Sequence, residues 1–327
     1  MRPRVAMTMG DANGIGPEIL VKVLADEELW AGCDPLLIGD VAVFEQIAGV
    51  VGIELRFRAI TEVAQARFTP GVAHVLVPSD LSVPDVRWGV MDPAMGEAVA
   101  VCMRAALRLG TDGEVDGFVG APLNKLAFHE AGYDYLDELA YFSEVTGSTE
   151  AFFMGVIGDV LTTAIAEHVP FSAIQGRVTK QNILWTTRNM WRVLNQVGVA
   201  DPTVAVAALN PHAGEGGLLG TDEIETIIPA IEAAQAEGIN VVGPVPADVI
   251  FPQALRGDFD GIVGMYHDQV NTGRKLQPPA TSATLYMGLP VVGATTAHGT
   301  AFDIAGKGCA DPASLGAAVR WVCSLVS

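Results

Sequence analysis

Three histidines and one glycine-rich loop carry most of the reactive chemistry that this sequence offers. His168, His212 and His267 each fall just after a run that reads as a β-strand, in Glu167-His168-Val169-Pro170, Asn210-Pro211-His212-Ala213-Gly214-Glu215 and Tyr266-His267-Asp268-Gln269. Neutral imidazole is the commonest transition-metal ligand, and three protein ligands leave coordination positions open for a reacting molecule. They lie roughly forty to fifty-five positions apart, so spacing alone leaves a purely structural role open for each of them. The second feature is the stretch Thr296-Ala297-His298-Gly299-Thr300-Ala301-Phe302-Asp303-Ile304-Ala305-Gly306-Lys307-Gly308. Glycine belongs where φ must be positive or where a ligand comes close to the backbone. A loop of this length in a compact domain generally binds something, the alternative being a glycine-rich surface turn.

The elements that must position these groups alternate between strand and helix. Val5–Met9 reads as a buried strand, followed by a tight turn at 10–16 and a helix from Pro17, which suits the first helical position, to about Glu28. Strands are expected at Pro35–Ile38, His74–Val77 and Asp116–Gly120, with helices at Val41–Ala48 and Gly96–Leu109. Ala151–Val156 and Leu161–Ala166 read as paired strands, Thr179–Leu194 as a helix, Thr203–Leu209 as a strand and Glu223–Ala236 as a helix. A strand begins at Val241–Val242, Gly261–Tyr266 is another, and Ala283–Met287, Pro290–Ala294 and a helix at Ala310–Val326 close the chain. The alternation defines an α/β protein. Gly10-Asp11, Asn124-Lys125, Asn210-Pro211-His212 and His267-Asp268 each follow a strand directly, where open α/β sheets bind ligands.

Composition narrows the function classes. The 327 residues suggest two domains or one large α/β unit, and half of them are hydrophobic, enough for a sizeable core. A net charge of −19 offers nothing to neutralise a nucleic-acid backbone. Cys33, Cys102, Cys309 and Cys323 form no CxxC pair, which reads as buried thiols in a reducing compartment. No signal peptide and no run of membrane-spanning length is read, so a soluble, cytoplasmic protein is expected.

The 296–308 stretch resembles the cofactor loop of the isocitrate/isopropylmalate dehydrogenase superfamily. Within it, Gly10-Asp11-x-x-Gly14-Ile15-Gly16-Pro17-Glu18, Gly113-Glu114-Val115-Asp116, Ala121-Pro122-Leu123-Asn124-Lys125, Leu209 to Gly217, Pro246-Ala247-Asp248, Tyr266-His267-Asp268-Gln269 and His298 to Gly308 resemble, in order, the motifs of the 4-hydroxythreonine-4-phosphate dehydrogenase family. The resemblance implies two α/β/α domains with a cleft between them, expected at 1–125 plus 275–327 and at 126–274. It implies a homodimer whose active site is shared across the interface, a small-molecule substrate, and NAD or NADP bound by His298, Gly299, Thr300, Ala301, Asp303, Ile304, Gly306 and Lys307. His168, His212 and His267 would hold a divalent ion such as Zn, Mg, Mn or Co. The implied reaction is oxidation of a secondary alcohol beside a carboxylate-bearing carbon, which loss of CO2 can follow. Lys275 matches a substrate-contacting lysine; Asp248 and Asp268 lie in family motifs and could orient ligands or carry protons, or serve as a helix cap or ion pair. Glu167 replaces an expected hydroxyl residue. Gly10-x-x-x-Gly14-x-Gly16 is not a Rossmann fingerprint, so NAD is not placed there.

The pattern breaks where the family's phosphate-binding enzymes carry a His-Thr pair, an Arg and an Asn. Glu138, Leu139, Gly293 and Thr284 stand at those positions. Losing these donors removes charge-assisted bonding to a phosphate, and Glu138 would repel a dianion. The expected substrate is therefore non-phosphorylated, such as a carboxylated cis-dihydrodiol, with Arg274 beside Lys275 meeting a substrate carboxylate. The alternatives are 4-phosphohydroxythreonine, as in pyridoxal phosphate synthesis, and a four-carbon sugar-acid phosphate. A phosphotransacetylase-like acyltransferase is the alternative from another class.

Overall fold

We analysed a computed structural model, which describes residues 2–327. The apolar run after Arg4 forms β1 (Arg4–Thr8), and Pro17 opens α1 (Gly16–Leu24) as expected. The helix stops short of Glu28 because the Asp26 side chain accepts from the Glu28 amide and caps a new helix, α2 (Glu27–Gly32). There follow β2 (Asp34–Ile38), α3 (Val41–Val51), β3 (Arg56–Ile60), β4 (Val72–Leu76), α4 (Pro93–Thr111), β5 (Gly117–Gly120), α5 (Lys125–Glu130) and α6 (Glu138–Thr146). Next come β6 (Phe152–Ile157), β7 (Val160–Ala166), α7 (Ile174–Arg177), α8 (Lys180–Gln196), β8 (Val204–Ala207), α9 (Ile228–Ala236) and β9 (Val241–Val245). The chain closes with α10 (Ala247–Ala254), β10 (Gly261–Tyr266), α11 (His267–Lys275), β11 (Ser282–Met287), β12 (Val292–Thr296) and α12 (Ala313–Val326).

Contacts divide the chain into Met1–Phe153 with Pro279–Ser327, and Met154–Pro278. In the first unit the strand order is β3-β4-β2-β1-β5-β12-β11, parallel except for the antiparallel β11–β12 pair. Residues 126–153 belong to this unit because α5 and α6 are anchored in its core. A Cβ at Gly96 on α4 would strike the backbone of Ala127, and the Tyr141 hydroxyl donates to the Ala100 carbonyl at 3.1 Å. Phe142 and Tyr286 pack edge-on, 4.9 Å apart, and both touch Phe118. In the second unit the order is β6-β7-β10-β8-β9; β6 and β7 pair, as the sequence predicts, and do so antiparallel, while the rest are parallel.

Among the described residues, no helix is long and apolar enough to cross a membrane.

Candidate active site

Parallel pairing sets the chemistry of the second unit. β7 and β10 are neighbours in a register that places Ala166 opposite Tyr266. Glu167 and His168 therefore leave one strand where His267 leaves the other. One ligand atom from each of these three side chains lies within 4.8 Å of the others, and the two imidazole centroids are 5.5 Å apart. Glu167 and His267 are half-buried and His168 is exposed. Two imidazoles and a carboxylate suit a borderline divalent ion, and one further ligand position would remain open for substrate.

The surroundings tune this group. Burial pushes the Glu167 carboxyl above its ordinary range, while His267, His168 and Arg274 pull it back down. His267 Nδ1 faces the Asp268 carboxylate at 3.4 Å, a contact that orients the ring. Gln269 ties the neighbouring strand ends together, accepting from the Met265 amide at 2.7 Å and donating to the Ala208 carbonyl at 2.8 Å. α11 carries Arg274 back across the unit, where its guanidinium packs on Gly155 of β6; a Cβ at that glycine would overlap it. Burial lowers the Arg274 pKa against the opposing pull of Glu167, and Nε has no hydrogen-bond partner. Lys275, exposed at the end of α11, is held below the usual lysine range, first by partial burial and then by Arg274.

His212 is not a member of the group. The buried Glu223 carboxylate accepts from the amides of Leu209 and Asn210 at 2.9 and 2.7 Å and so fixes the turn that leaves β8. From there His212, Ala213, Gly214, Glu215 and Gly216 all have positive φ, between 47° and 76°. Non-glycine residues in that region store strain, a frequent mark of functional loops. The loop holds the His212 side chain 70% exposed, 3.4 Å from Glu215. Asp248 sits exposed in the first turn of α10.

In the first unit the loop at 296–308 lies against the turn that follows β1. Ile15 donates to the Thr300 carbonyl at 3.0 Å, and a Cβ at Gly14 would come within 2.9 Å of the Thr300 side chain. Gly306 is covered by Trp88, whose neighbours Arg87 and Gly89 donate to Asn13. Glu18, with no exposed surface, accepts from the Ala310 amide at 2.7 Å and from Lys22 at 2.8 Å; Lys22 also donates to the carbonyls of Gly308 and Ala310. The loop backbone is thus held from beneath, while Gly299, Asp303 and Lys307 are exposed and His298, Thr300, Ala301, Ile304 and Gly306 are half-buried. An exposed carboxylate, an imidazole and exposed backbone beside a parallel strand end fit the ribose and adenine of a dinucleotide. Between β1 and β5, where the strand order reverses and such sheets bind ligands, lies Asp11, buried and with its Oδ2 unpartnered. Burial and the nearby Asp92 raise its carboxyl to about 6, against the Asn13 amide that stabilises the anion.

The residues expected to replace a phosphate clamp have other surroundings. Leu139 is buried in the aromatic core of the first unit. Gly293 on β12 is covered by the Phe118 ring, which a Cβ would overlap. Glu138 is 4.0 Å from Lys125. Thr284 is half-buried on β11. Among the described residues, sequence reading passed over Glu167 as a ligand; its only signal was its place beside His168 at a strand end.

Comparison with known proteins agrees with an enzyme of this kind. The chain is 39% identical to a D-threonate 4-phosphate dehydrogenase of Cupriavidus necator, over 97% of this chain and 96% of that one. It superposes with a TM-score of 0.84 on a 4-hydroxythreonine-4-phosphate dehydrogenase from Burkholderia phymatum, at 34% identity, covering 100% and 99% of the two chains. A terephthalate 1,2-cis-dihydrodiol dehydrogenase from Burkholderia xenovorans is more distant, at 29% identity and a TM-score of 0.68, covering 99% and 98%. The protein is a dehydrogenase acting on CH–OH groups. The family described as pyridoxal phosphate biosynthetic protein PdxA matches residues 31–322, and the chain belongs to that family.

Proposed function

We propose that this protein is a divalent-metal-dependent NAD(P) dehydrogenase that oxidises the secondary alcohol of a small phosphorylated hydroxy acid of the D-threonate 4-phosphate type. The observation that carries the reading is the convergence of Glu167, His168 and His267 at two adjacent strand ends. Those three residues would hold the ion. When bound, a divalent ion acidifies a ligated hydroxyl and polarises the carbonyl made from it. Asp268 fixes the His267 ring. Lys275 Nζ, held below the ordinary lysine range, serves as the base for the hydroxyl proton, and NAD(P), when bound, would supply the hydride acceptor. Arg274 meets the substrate carboxylate. His298, Asp303 and Lys307 bind the adenosine side of NAD or NADP. Where the carboxylate lies β to the new ketone, loss of CO2 follows. The enzyme works in the cytoplasm as a homodimer, in which the outward-facing His212 serves the shared metal site; His212→Ala should weaken metal binding without unfolding the chain.

The substrate class rests on the relatives named above. Glu138 favours a second reading, a non-phosphorylated carboxylated cis-dihydrodiol, because its carboxylate would repel a phosphate dianion. Formation of reduced nicotinamide, with divalent metal present, should be followed on D-threonate 4-phosphate, 4-phosphohydroxythreonine and a carboxylated cis-dihydrodiol. Turnover of a phosphorylated acid alone supports the first reading; turnover of the dihydrodiol alone replaces it with the second.

A further inference from the structure

The first unit contains a chemical pair that the dehydrogenase reading leaves unused. Cys33 and Cys323 are 290 positions apart in sequence, yet the fold brings both to the wall of one cavity, where the two thiols interact. Cys33 caps the C-terminal end of α2 just before β2 and is 1% exposed; Cys323 lies near the end of α12 and is half-buried. Both line a cavity of about 460 Å3 whose wall also includes Lys22, Leu29, Val319 and Arg320. The cavity gives a small molecule a route to the half-buried Cys323, and the buried Cys33 lines the same wall. Cys102 is fully buried elsewhere and Cys309 is exposed on its own.

We propose that Cys33 and Cys323 form an oxidisable dithiol, a modification site whose co-reactant is a low-molecular-weight disulfide of the glutathione class admitted by this cavity. In the first step the Cys323 sulfur attacks one sulfur of the small disulfide, forming a mixed disulfide and releasing one small thiol. Cys33 then gives up its proton and attacks Cys323 Sγ, which closes the protein disulfide and releases the second thiol. The protein loses two protons and two electrons, and the small disulfide gains them as two thiols. Exposure divides the roles, because Cys323 is the half-buried thiol and Cys33 the buried one; their interaction acts in the same sense, raising the Cys33 pKa and lowering that of Cys323, so that Cys323 is the attacking sulfur and Cys33 the resolving one. The bridge would tie α12 to the α2–β2 junction. Lys22, which lines the same cavity, also holds the carbonyls of Gly308 and Ala310 at the end of the cofactor loop, so the bridge would form beside the base of that loop.

The test uses the full chain carrying Cys309→Ser, incubated with oxidised glutathione and read by intact mass, thiol alkylation and peptide mapping under non-reducing conditions. The expected product is about 2 Da lighter than the reduced protein, as loss of two hydrogens requires. It carries no glutathione, contains a Cys33–Cys323 linked peptide, and reverts with dithiothreitol. Adding Cys33→Ser should arrest the reaction as a glutathione adduct on Cys323. Both thiols remaining alkylatable, or a stable adduct on Cys323 with Cys33 still free in the parent, would overturn the proposal. The readout needs neither substrate nor metal, so it stands or falls separately from the dehydrogenase reading.

Discussion

His168→Ala and His267→Ala each remove one of two imidazoles from a group that also depends on Glu167. Calorimetric titration with a divalent ion should show the wild type binding stoichiometrically and either variant losing that event. Asp268→Asn keeps the fold and the ligands but removes the charge that orients His267, so affinity should fall about 10- to 100-fold. Unchanged affinity in all three variants would place the ion elsewhere. The histidines were legible because imidazoles at strand ends are informative by type. The carboxylate was not, because its partnership with His267 depends on residues 100 positions apart being neighbours in register, Ala166 against Tyr266. Sequence order carries no trace of that pairing. Nor does it reveal that Arg274 packs on Gly155, or that the Leu139 side chain turns into an aromatic core.

The helices and strands with strong periodicity or buried runs fall within a few residues of expectation; Gly261–Tyr266 was read with its observed bounds. The elements that escaped have physical reasons. β3 has the burial pattern of an exposed edge strand, with Arg56 and Arg58 outward, so no hydrophobic run announces it. α11 opens on His267-Asp268 and runs through Val270-Asn271-Thr272-Gly273, weak helix formers that outnumber Gln269, Arg274 and Lys275, so propensity does not announce it. The expected helix at 223–236 opens with a π turn, Glu223–Ile227, in which Glu223 is committed to the amides of Leu209 and Asn210. At this scale the Glu18–Lys22 latch is the most exposed to test. Lys22→Met leaves a fully buried carboxylate without its cation and two loop carbonyls without a donor. Urea unfolding should show a loss of about 3 kcal/mol, and NAD(P) affinity should weaken with it. A variant as stable as the wild type would mean that the latch does not hold the loop.

Over the whole molecule, Asp11 supplies a pH signature. Its folded-state value of about 6 lies above the ordinary 3.8, so folding takes up a proton between those values. Stability therefore falls as pH rises from about 4 to 6, by on the order of 3 kcal/mol, and levels off above. Asp11→Asn cannot ionise and should lose this slope, gaining on the wild type above pH 6 in thermal melts; parallel curves for the two would contradict the assignment. Residues 126–153 group with the first unit because the side chains of α5 and α6 complete its core, packing of which the sequence carries no trace. In the proposed reaction, oxidation requires both NAD(P) and a divalent ion that Glu167, His168 and His267 would hold. The most direct test is formation of reduced nicotinamide from the preferred acid, before and after removal of divalent ions with a chelator. Chelation should abolish turnover, adding back a divalent ion should restore it, and His267→Ala should not be rescued. Full turnover by the chelated protein would contradict it.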